Sequence, residues 1–386
     1  MEDIAIVGGG PAGSYLGYCL SKKGMACRIF DGSHPREKPC GGGITTLAIR
    51  KFPLLRKLPL GKVSGTKMVI VSPSGRRAMI EGMEDSWNVS RARMDWFLLQ
   101  QAVSSGAGHV GESVTGIRKT GSGWKLRTPK GFYGAKTVIG ADGVNSLVRR
   151  TVAGPFRTGD LGFCYGCFTE PLEGMEDTEA LMEFFRGMLG YAWVFPREED
   201  CSIGIGTDVA HVPRARNELA GVVKKYASGA KVLSRWGALI PSAGSVGFFD
   251  APAAGKDWML IGDAAGHVDP ITGEGIIYAL WSASLAADAL QAGDLSLYDR
   301  MWRAEYGRTL RDGVRSRRLY YSSALIELGV GLAGRSGTFG RLLYDSINDE
   351  IGYGDFTGSV LGNLPRVLWE AFLSRGKVTH GAPGLP

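Results

Sequence analysis

Three short glycine motifs stand far apart in the chain: Gly8-Gly9-Gly10-Pro11-Ala12-Gly13 near the start, Gly140-Ala141-Asp142-Gly143 mid-chain, and Gly262-Asp263-Ala264-Ala265-Gly266 late. The first constrains the fold most. An apolar run, Asp3-Ile4-Ala5-Ile6-Val7, leads into it as a buried parallel strand would. Ser14 to Leu20 then reads as the start of a helix. In such a strand–turn–helix unit Gly8 permits the tight turn, Gly10 lets the backbone approach a pyrophosphate, and Gly13 lets helix and strand pack closely. The helix N-terminus, reached through Pro11 and Ala12 of the motif, offers unpaired N–H groups and a positive dipole end to phosphates. A second strand, Ala26-Cys27-Arg28-Ile29-Phe30, ends at Asp31, about 20 residues on, where an acid binds a ribose hydroxyl.

The later motifs distinguish FAD from a nicotinamide nucleotide. Thr137-Val138-Ile139 is another buried-strand pattern, and Gly140-Ala141-Asp142-Gly143 carries it into a helix through Arg149. Trp258-Met259-Leu260-Ile261 is a third, leading into Gly262-Asp263 and then Pro270-Ile271-Thr272-Gly273-Glu274-Gly275-Ile276. An acid at a strand end, followed by a glycine-rich helix start, can hold ribityl hydroxyls and turn backbone N–H groups toward a flavin ring. On this reading Ala141, Asp142, Gly143, Gly262, Asp263, Gly273, Gly275 and Ile276 join Gly8, Gly10, Pro11, Ala12, Gly13 and Asp31 as FAD-binding residues.

This combination resembles the flavoproteins that include aromatic hydroxylases, flavin halogenases and geranylgeranyl reductases, and the resemblance covers most of the chain to about residue 300. It implies a Rossmann-type, glutathione-reductase-like FAD domain of α/β class, interleaved with an antiparallel β-sheet substrate domain and followed by a C-terminal helical region. Arg91-Ala92-Arg93-Met94-Asp95 matches the group's Arg-x-x-hydrophobic-Asp pattern, which implies that Arg91 lies near the flavin. Lys38-Pro39-Cys40-Gly41-Gly42-Gly43 and Tyr191-Ala192-Trp193-Val194-Phe195-Pro196 resemble the two signatures of the geranylgeranyl reductase family. That resemblance implies FAD-dependent saturation of isoprenoid double bonds, on chains that are free or carried by a lipid, quinone or pigment. The alternative in the same group is a monooxygenase or halogenase working through a flavin hydroperoxide. No counterpart of the halogenases' catalytic lysine stands out. A flavin-binding carrier without turnover is the reading outside enzymology.

Cys40 is the candidate catalytic residue, and with Gly41 and Gly42 it also belongs to the candidate cofactor set, since three glycines leave space for a planar cofactor or a chain. A thiol there can act as an acid, hold a charge or shape the pocket. Tyr191 and Trp193 sit two apart on a strand and face one side, and with Phe195 they form an aromatic wall for a flexible apolar chain. Plain core packing is the alternative for these three, as it is for Cys40. Cys164-Tyr165-Gly166-Cys167 has redox spacing, but no second pair accompanies it, and residues three apart on a strand face opposite ways. His267 reads as a helix-start histidine satisfied by backbone, and the histidines suggest no metal site. Gly204 and Gly206 open no second nucleotide fold, so the reductant, whether NADPH, NADH or a ferredoxin, is expected to bind transiently.

Composition bounds the setting. A chain of 386 residues exceeds one core, so more than one lobe is expected. Six cysteines without a regular framework fit a reducing compartment, and a core strand at the N-terminus leaves no room for a leader ahead of the fold, so a cytoplasmic protein is expected. The charge of +7 comes without a nucleic-acid recognition motif. Arg303, Arg308, Arg311, Arg315, Arg317 and Arg318 crowd one helix, which can lie on a lipid surface or equally be a solvated face packed on the body of the protein.

The expected organisation is discontinuous. Residues 1–60, 90–155 and 255–300 build the FAD domain; 61–89 and 156–254 build the substrate sheet, with strands at 66–73, 161–168 and 201–207. Residues 301–375 form the helical region, and 376–386 a loose tail.

Overall fold

The computed structural model describes residues 2–59, 62–173, 175, 180–348 and 350–374; the tail expected to be loose lies outside the described residues. The chain divides into two units. The first comprises Met1–Lys38, Arg91–Leu161 and Ile240–Arg311, the second Pro39–Ser90, Gly162–Leu239 and Asp312–Pro386.

In the first unit the opening strand, Glu2–Val7, lies between Arg28–Phe30 and Gly131–Gly140, parallel to both. Trp258–Leu260 and Gly108–Val110 extend the sheet in parallel at either side, and Gly123–Thr128 and Gly116–Thr120 add an antiparallel meander. Ile4, Ala5, Ile6, Val7, Ile29, Val138 and Ile139 are all buried, as strands covered on both faces must be. The helix Pro11–Lys22 packs against both Arg91–Ser104 and Ile276–Gln291. The last of these is apolar nearly all round and is correspondingly buried.

The second unit holds an eight-stranded sheet. Its pairings from Leu161–Thr169 through Cys201–Asp208 and Gly190–Pro196 to Ala180–Phe184, and those of Arg77–Val89 with Lys62–Val71 and Gly43–Ile44, are antiparallel, whereas Ala180–Phe184 runs parallel to Lys62–Val71, a departure from the expected antiparallel sheet. Alternation along Met68-Val69-Ile70-Val71 divides the strand between two cores, because successive side chains point to opposite faces. Val69 and Val71 meet Val194, Ile203 and Ile205 and the apolar side of the helix Val212–Tyr226, with Ala215, Leu219 and Val222 buried. Met68 and Ile70 instead join Ile80 and Met182 under the C-terminal helices, through Ile326, Val330, Phe339 and Tyr344.

The unit boundaries depart from the sequence reading at four stretches, residues 39–60, 156–161, 240–254 and 301–311, and the second and third of these are tied to each other. Residues 39–60 group with the second unit because Gly43 and Ile44 pair with Asn88 and Trp87, a two-residue strand too short to read from the sequence. Residues 240–254 group with the first, where Asp160 accepts hydrogen bonds from the Ser242 and Gly244 amides. Residues 301–311 also join the first. There Arg303 donates to the Ala251 carbonyl at 3.0 Å, and Arg311 to the Phe249 carbonyl at 3.1 Å and the Asp250 carboxylate at 2.7 Å. Two of the six crowded arginines are therefore structural ties.

Ile203 is fully buried in the core beneath the sheet of the second unit. Ile203→Ala should lower unfolding free energy by about 2–5 kcal/mol in urea titration. A loss well under 1 kcal/mol would show that this face is not a packed core.

Candidate functional site

The first glycine turn is built by backbone approach. Gly8 has φ +104°, and a Cβ there would overlap the Ala141 carbonyl of the second motif. A Cβ on Gly13 would overlap the Gly8 carbonyl, so helix and strand approach as closely as the sequence reading requires. Gly262, at φ +56°, sits with its would-be Cβ 3.1 Å from the Ala12 methyl group. The three motifs thus converge within the first unit. Gly10, by contrast, has nothing within 4 Å of its would-be Cβ, and Gly143 (φ +76°) is equally open. Pro11 takes the first helical position, with Gly10 as N-cap and no side chain filling the helix end. An open helix N-terminus flanked by glycine fits a pyrophosphate.

Asp31 closes the second strand as expected. Its carboxylate accepts the Gly9 amide at 2.7 Å and both the amide (2.7 Å) and hydroxyl (2.6 Å) of Ser33. Burial alone would raise its pKa, yet the bonds from Ser33 and Gly9 outweigh that and leave it lowered. It is an ionised acceptor held in place beside the turn.

The other two strand-end acids differ. Asp142 supports the start of the helix Leu147–Val152, whose N-cap is Ser146, by accepting from the Ser146 hydroxyl and from the Leu147 amide at 2.6 Å. Burial raises its pKa in spite of those bonds. Asp263 faces the Lys38 ammonium at 3.3 Å. Lys38 belongs to the Cys40 motif, but its partner lies 225 residues on and carries no local signal. Arg149 is a second residue the motifs did not assign: it donates to the Ala264 carbonyl at 3.2 Å and lies 3.9 Å from the Phe156 ring centroid. It ties the second glycine motif to the third.

Gly273 has φ +73°, and Gly275 is the N-cap of the helix that opens at Ile276. Between them Glu274 accepts the Ile277 amide at 2.8 Å, and burial pushes its pKa up to about 7. Arg91 is buried in a bidentate pair with Asp95, both contacts at 2.8 Å, so the Arg-x-x-hydrophobic-Asp spacing spans one helical turn and closes an ion pair. His267 is satisfied by a side chain rather than by backbone alone. Its Nδ1 lies 2.9 Å from the Tyr306 hydroxyl, and burial first, then Arg303 and Arg149, push its pKa down to about 3.

The second unit carries the other sequence candidates. Strand register aligns three cross-strand rows on one face of the sheet: Cys164–Gly206–Tyr191, Gly166–Gly204–Trp193 and Phe168–Ser202–Phe195. The glycines make room for indoles: a Cβ on Gly204 would overlap Trp193, and one on Gly166 would overlap Trp236. Trp193 and Trp236 stack with centroids 6.0 Å apart, and Tyr191 and Phe195 flank Trp193 at 6.2 and 6.3 Å. Trp236 was missed in the sequence because no spacing links it to Trp193.

The Cys40 loop meets this face. A Cβ on Gly41 would stand 2.8 Å from the Phe195 ring, and Gly42 (φ +84°) brings its backbone onto Val89. The Cys40 sulfur accepts the Gly42 amide at 3.3 Å, and its carbonyl accepts the Ser202 hydroxyl at 3.0 Å, while Ser202 accepts the Trp193 indole N–H at 3.2 Å. Cys40, Ser202 and Trp193 therefore form one connected group. Cys164 shares that face, and burial pushes its thiol up to about 12, with Cys40 adding to the shift. Cys167 points into the opposite core, so the two cysteines of the Cys-x-x-Cys run do face apart. No grouping of acids, histidines and cysteines able to hold a metal occurs among the described residues.

Because Glu274 is favoured uncharged in the fold, its contribution is fully present below the ordinary pKa of 4.5 and lost as pH rises through about 7. Glu274→Gln should therefore raise the unfolding free energy at pH 8, by about 3 kcal/mol at most, with the gain vanishing toward pH 4.5. A gain that does not change with pH would contradict the assignment.

No family model matches the chain. It is 32% identical to the geranylgeranyl diphosphate reductase of Rhodobacter capsulatus, over 75% of each chain. It is 28% identical to digeranylgeranylglycerophospholipid reductase 2 of Methanothermobacter thermautotrophicus, over 82% of this chain and 87% of that one. A geranylgeranyl bacteriochlorophyll reductase-like structure from Thermoplasma acidophilum matches 96% of this chain and 98% of its own, with TM-score 0.77 and 20% identity. A flavin-dependent brominase matches 95% of this chain and all of its own at TM-score 0.70 and 19% identity, a likeness of fold alone. With the converging glycine motifs and the Cys40 loop on an aromatic sheet face, the relatives settle the assignment: the chain belongs to the geranylgeranyl reductase family of FAD-dependent oxidoreductases.

Proposed function

We propose that this protein saturates carbon–carbon double bonds of an isoprenoid chain, free or attached to a lipid, quinone or pigment, with FAD as its cofactor. The observation that carries the reading is the aromatic face of the second unit, where Tyr191, Trp193 and Phe195 line up, Trp193 over Gly204 and Phe195 against Gly41 of the Cys40 loop. Aromatic side chains without charge suit a flexible apolar chain, and they select for it by area rather than by hydrogen bonding.

FAD would be held by the open turn at Gly8, Gly10, Pro11, Ala12 and Gly13, by Asp31, and by the later motifs at Ala141, Asp142, Gly143, Gly262, Asp263, Gly273, Gly275 and Ile276. Gly41, Gly42 and Arg91 complete the proposed set. Bound there and reduced by an external donor, the flavin would supply the hydride that reduction of an alkene requires. Asp31, an ionised acceptor fixed by Gly9 and Ser33, suits a ribose hydroxyl. Asp142 spends its carboxylate on a helix N-terminus, so its share in binding falls to the backbone that it holds in place.

An isolated alkene also needs a proton. Cys40 is proposed as the functional residue of its loop, with its sulfur oriented by the Gly42 amide and its carbonyl by Ser202. NADPH, NADH or a ferredoxin would recharge the flavin.

Asp31→Ala should weaken FAD binding at least tenfold, about 1.4 kcal/mol, in a fluorescence titration of the apoprotein. An unchanged affinity would remove Asp31 from the site. Turnover is tested by reducing the purified protein anaerobically with dithionite, adding a geranylgeranyl lipid and weighing the product. Paired hydrogen gain as the flavin reoxidises is the expected result. An oxygenated or halogenated product, formed once oxygen and halide are admitted, would overturn it in favour of a monooxygenase or halogenase. Cys40→Ala and Cys40→Ser should keep the flavin and lose most of the reduction rate; full rates in both would leave Cys40 a packing residue.

A further inference from the structure

The helix Leu364–Leu373 is anchored to the second unit by one narrow edge. Val367 is buried, and Glu370 reaches the start of the helix Gly337–Ile347, where it accepts from the Ser336 hydroxyl at 2.7 Å and from the Thr338 amide at 3.0 Å. At about 100° per residue, Leu364, Leu368, Phe372, Trp369 and Leu373 follow one another around roughly half of the helix circumference. Much of that half is exposed. Leu368 is 56% exposed, Trp369 63%, Phe372 57% and Leu373 64%, and Leu361 of the preceding helix adds another apolar side chain at 61%. A contiguous apolar arc of this kind on a monomer marks an interaction surface, whereas scattered exposed leucines do not.

The rim of the arc is basic. Arg335, Arg341 and Arg366 line a cavity of about 500 Å³ to which Leu342 and Leu373 also contribute, so the arginines and the apolar arc share an edge. Asp345 and Glu370 are the acids of that cavity, and Glu370 is taken up by Ser336, Thr338 and Arg366 (2.9 Å). The arginines distinguish the possible occupants. A second copy of the chain would bring like charges together around a shared apolar seam. A bilayer surface bearing anionic headgroups takes the aromatic and leucine side chains at the headgroup–acyl boundary and meets the arginines with opposite charge.

We infer that the helix Leu364–Leu373, with its arginine rim, is an interfacial docking element for anionic phospholipid membranes. This goes beyond the assignment of isoprenoid reduction and does not rest on it, since docking is read without turnover. It also moves the lipid-facing element away from the arginine-crowded helix of residues 303–318, where Arg303 and Arg311 are engaged by backbone carbonyls.

The test is co-sedimentation of the full chain with vesicles of phosphatidylcholine alone and of phosphatidylcholine mixed with phosphatidylglycerol. Binding to the anionic vesicles is expected, weakening as salt is raised. The triple variant Leu368→Ser, Trp369→Ser, Phe372→Ser should lose that binding at least tenfold with an unchanged thermal midpoint, because the replaced side chains are exposed. Arg335→Gln with Arg341→Gln should abolish the preference for phosphatidylglycerol. Quenching by brominated phospholipid provides a readout that needs no disruptive change: it should fall in Trp369→Phe relative to the parent. Absence of vesicle binding, equal binding by the triple variant, or quenching unaltered by Trp369→Phe would each overturn the inference. So would a dimer, seen by sedimentation velocity without vesicle binding and dissolved by the triple variant, which would assign the arc to self-association.

Discussion

The first unit depends on two places where backbone lies against backbone with no side chain between. At Gly8 the turn touches Ala141, and at Gly13 the helix touches the carbonyl of Gly8. Any Cβ at either point would push the opening helix off the sheet. The contact fixes the helix N-terminus at the carboxyl end of the central strand, beside the strand Gly131–Gly140 that leads into Asp142. Gly262 makes a looser approach, its would-be Cβ standing 3.1 Å from the Ala12 methyl group. A nucleotide-binding turn is thus defined by what is absent from three glycines, and the open space at Gly10 follows from the closeness elsewhere.

The same device recurs in the second unit with a different outcome. Gly166 and Gly204 are aligned across neighbouring strands, and each gives its side-chain volume to an indole. One face of the sheet therefore carries large flat rings over bare backbone, while the opposite face carries Cys167, Ile203, Ile205 and Val194 packed against a helix. Period-two alternation keeps the two chemistries apart along a single strand. A β-branched residue at Gly204 would suit the strand by propensity and destroy the face, so local preference and function oppose each other at that position.

The strands around the glycine motifs were legible because each is a short apolar run closed by a turn residue, and Tyr191, Trp193 and Phe195 were legible as one face because the period is two. What escaped the sequence is non-local. The Cys40 loop joins the second unit through the pairing of Gly43 and Ile44 with Asn88 and Trp87. Lys38 finds Asp263, Arg149 finds Ala264, and His267 finds Tyr306, all across separations that no periodicity encodes. The parallel pairing of Ala180–Phe184 with Lys62–Val71 is of the same kind, since both runs look alike whichever direction their partner takes. Trp236 stacks on Trp193 from the other side of two intervening strands.

Acids and arginines add a related lesson about counting by residue type. Asp31 and Asp142 both end parallel strands beside a glycine, yet hydrogen bonds lower the pKa of the first and burial raises that of the second. The difference lies in how much solvent each keeps and in what it must cap, neither of which the motif records. The arginines divide in the same way. Those crowded at 303–318 look like a charged surface, but Arg303 and Arg311 spend their donors on the carbonyls of Phe249 and Ala251. Arg335, Arg341 and Arg366, dispersed in the sequence, come together at one cavity next to the most exposed apolar helix. Charge acts where folding gathers it, and here folding gathers it on the rim of an apolar surface rather than along the basic run.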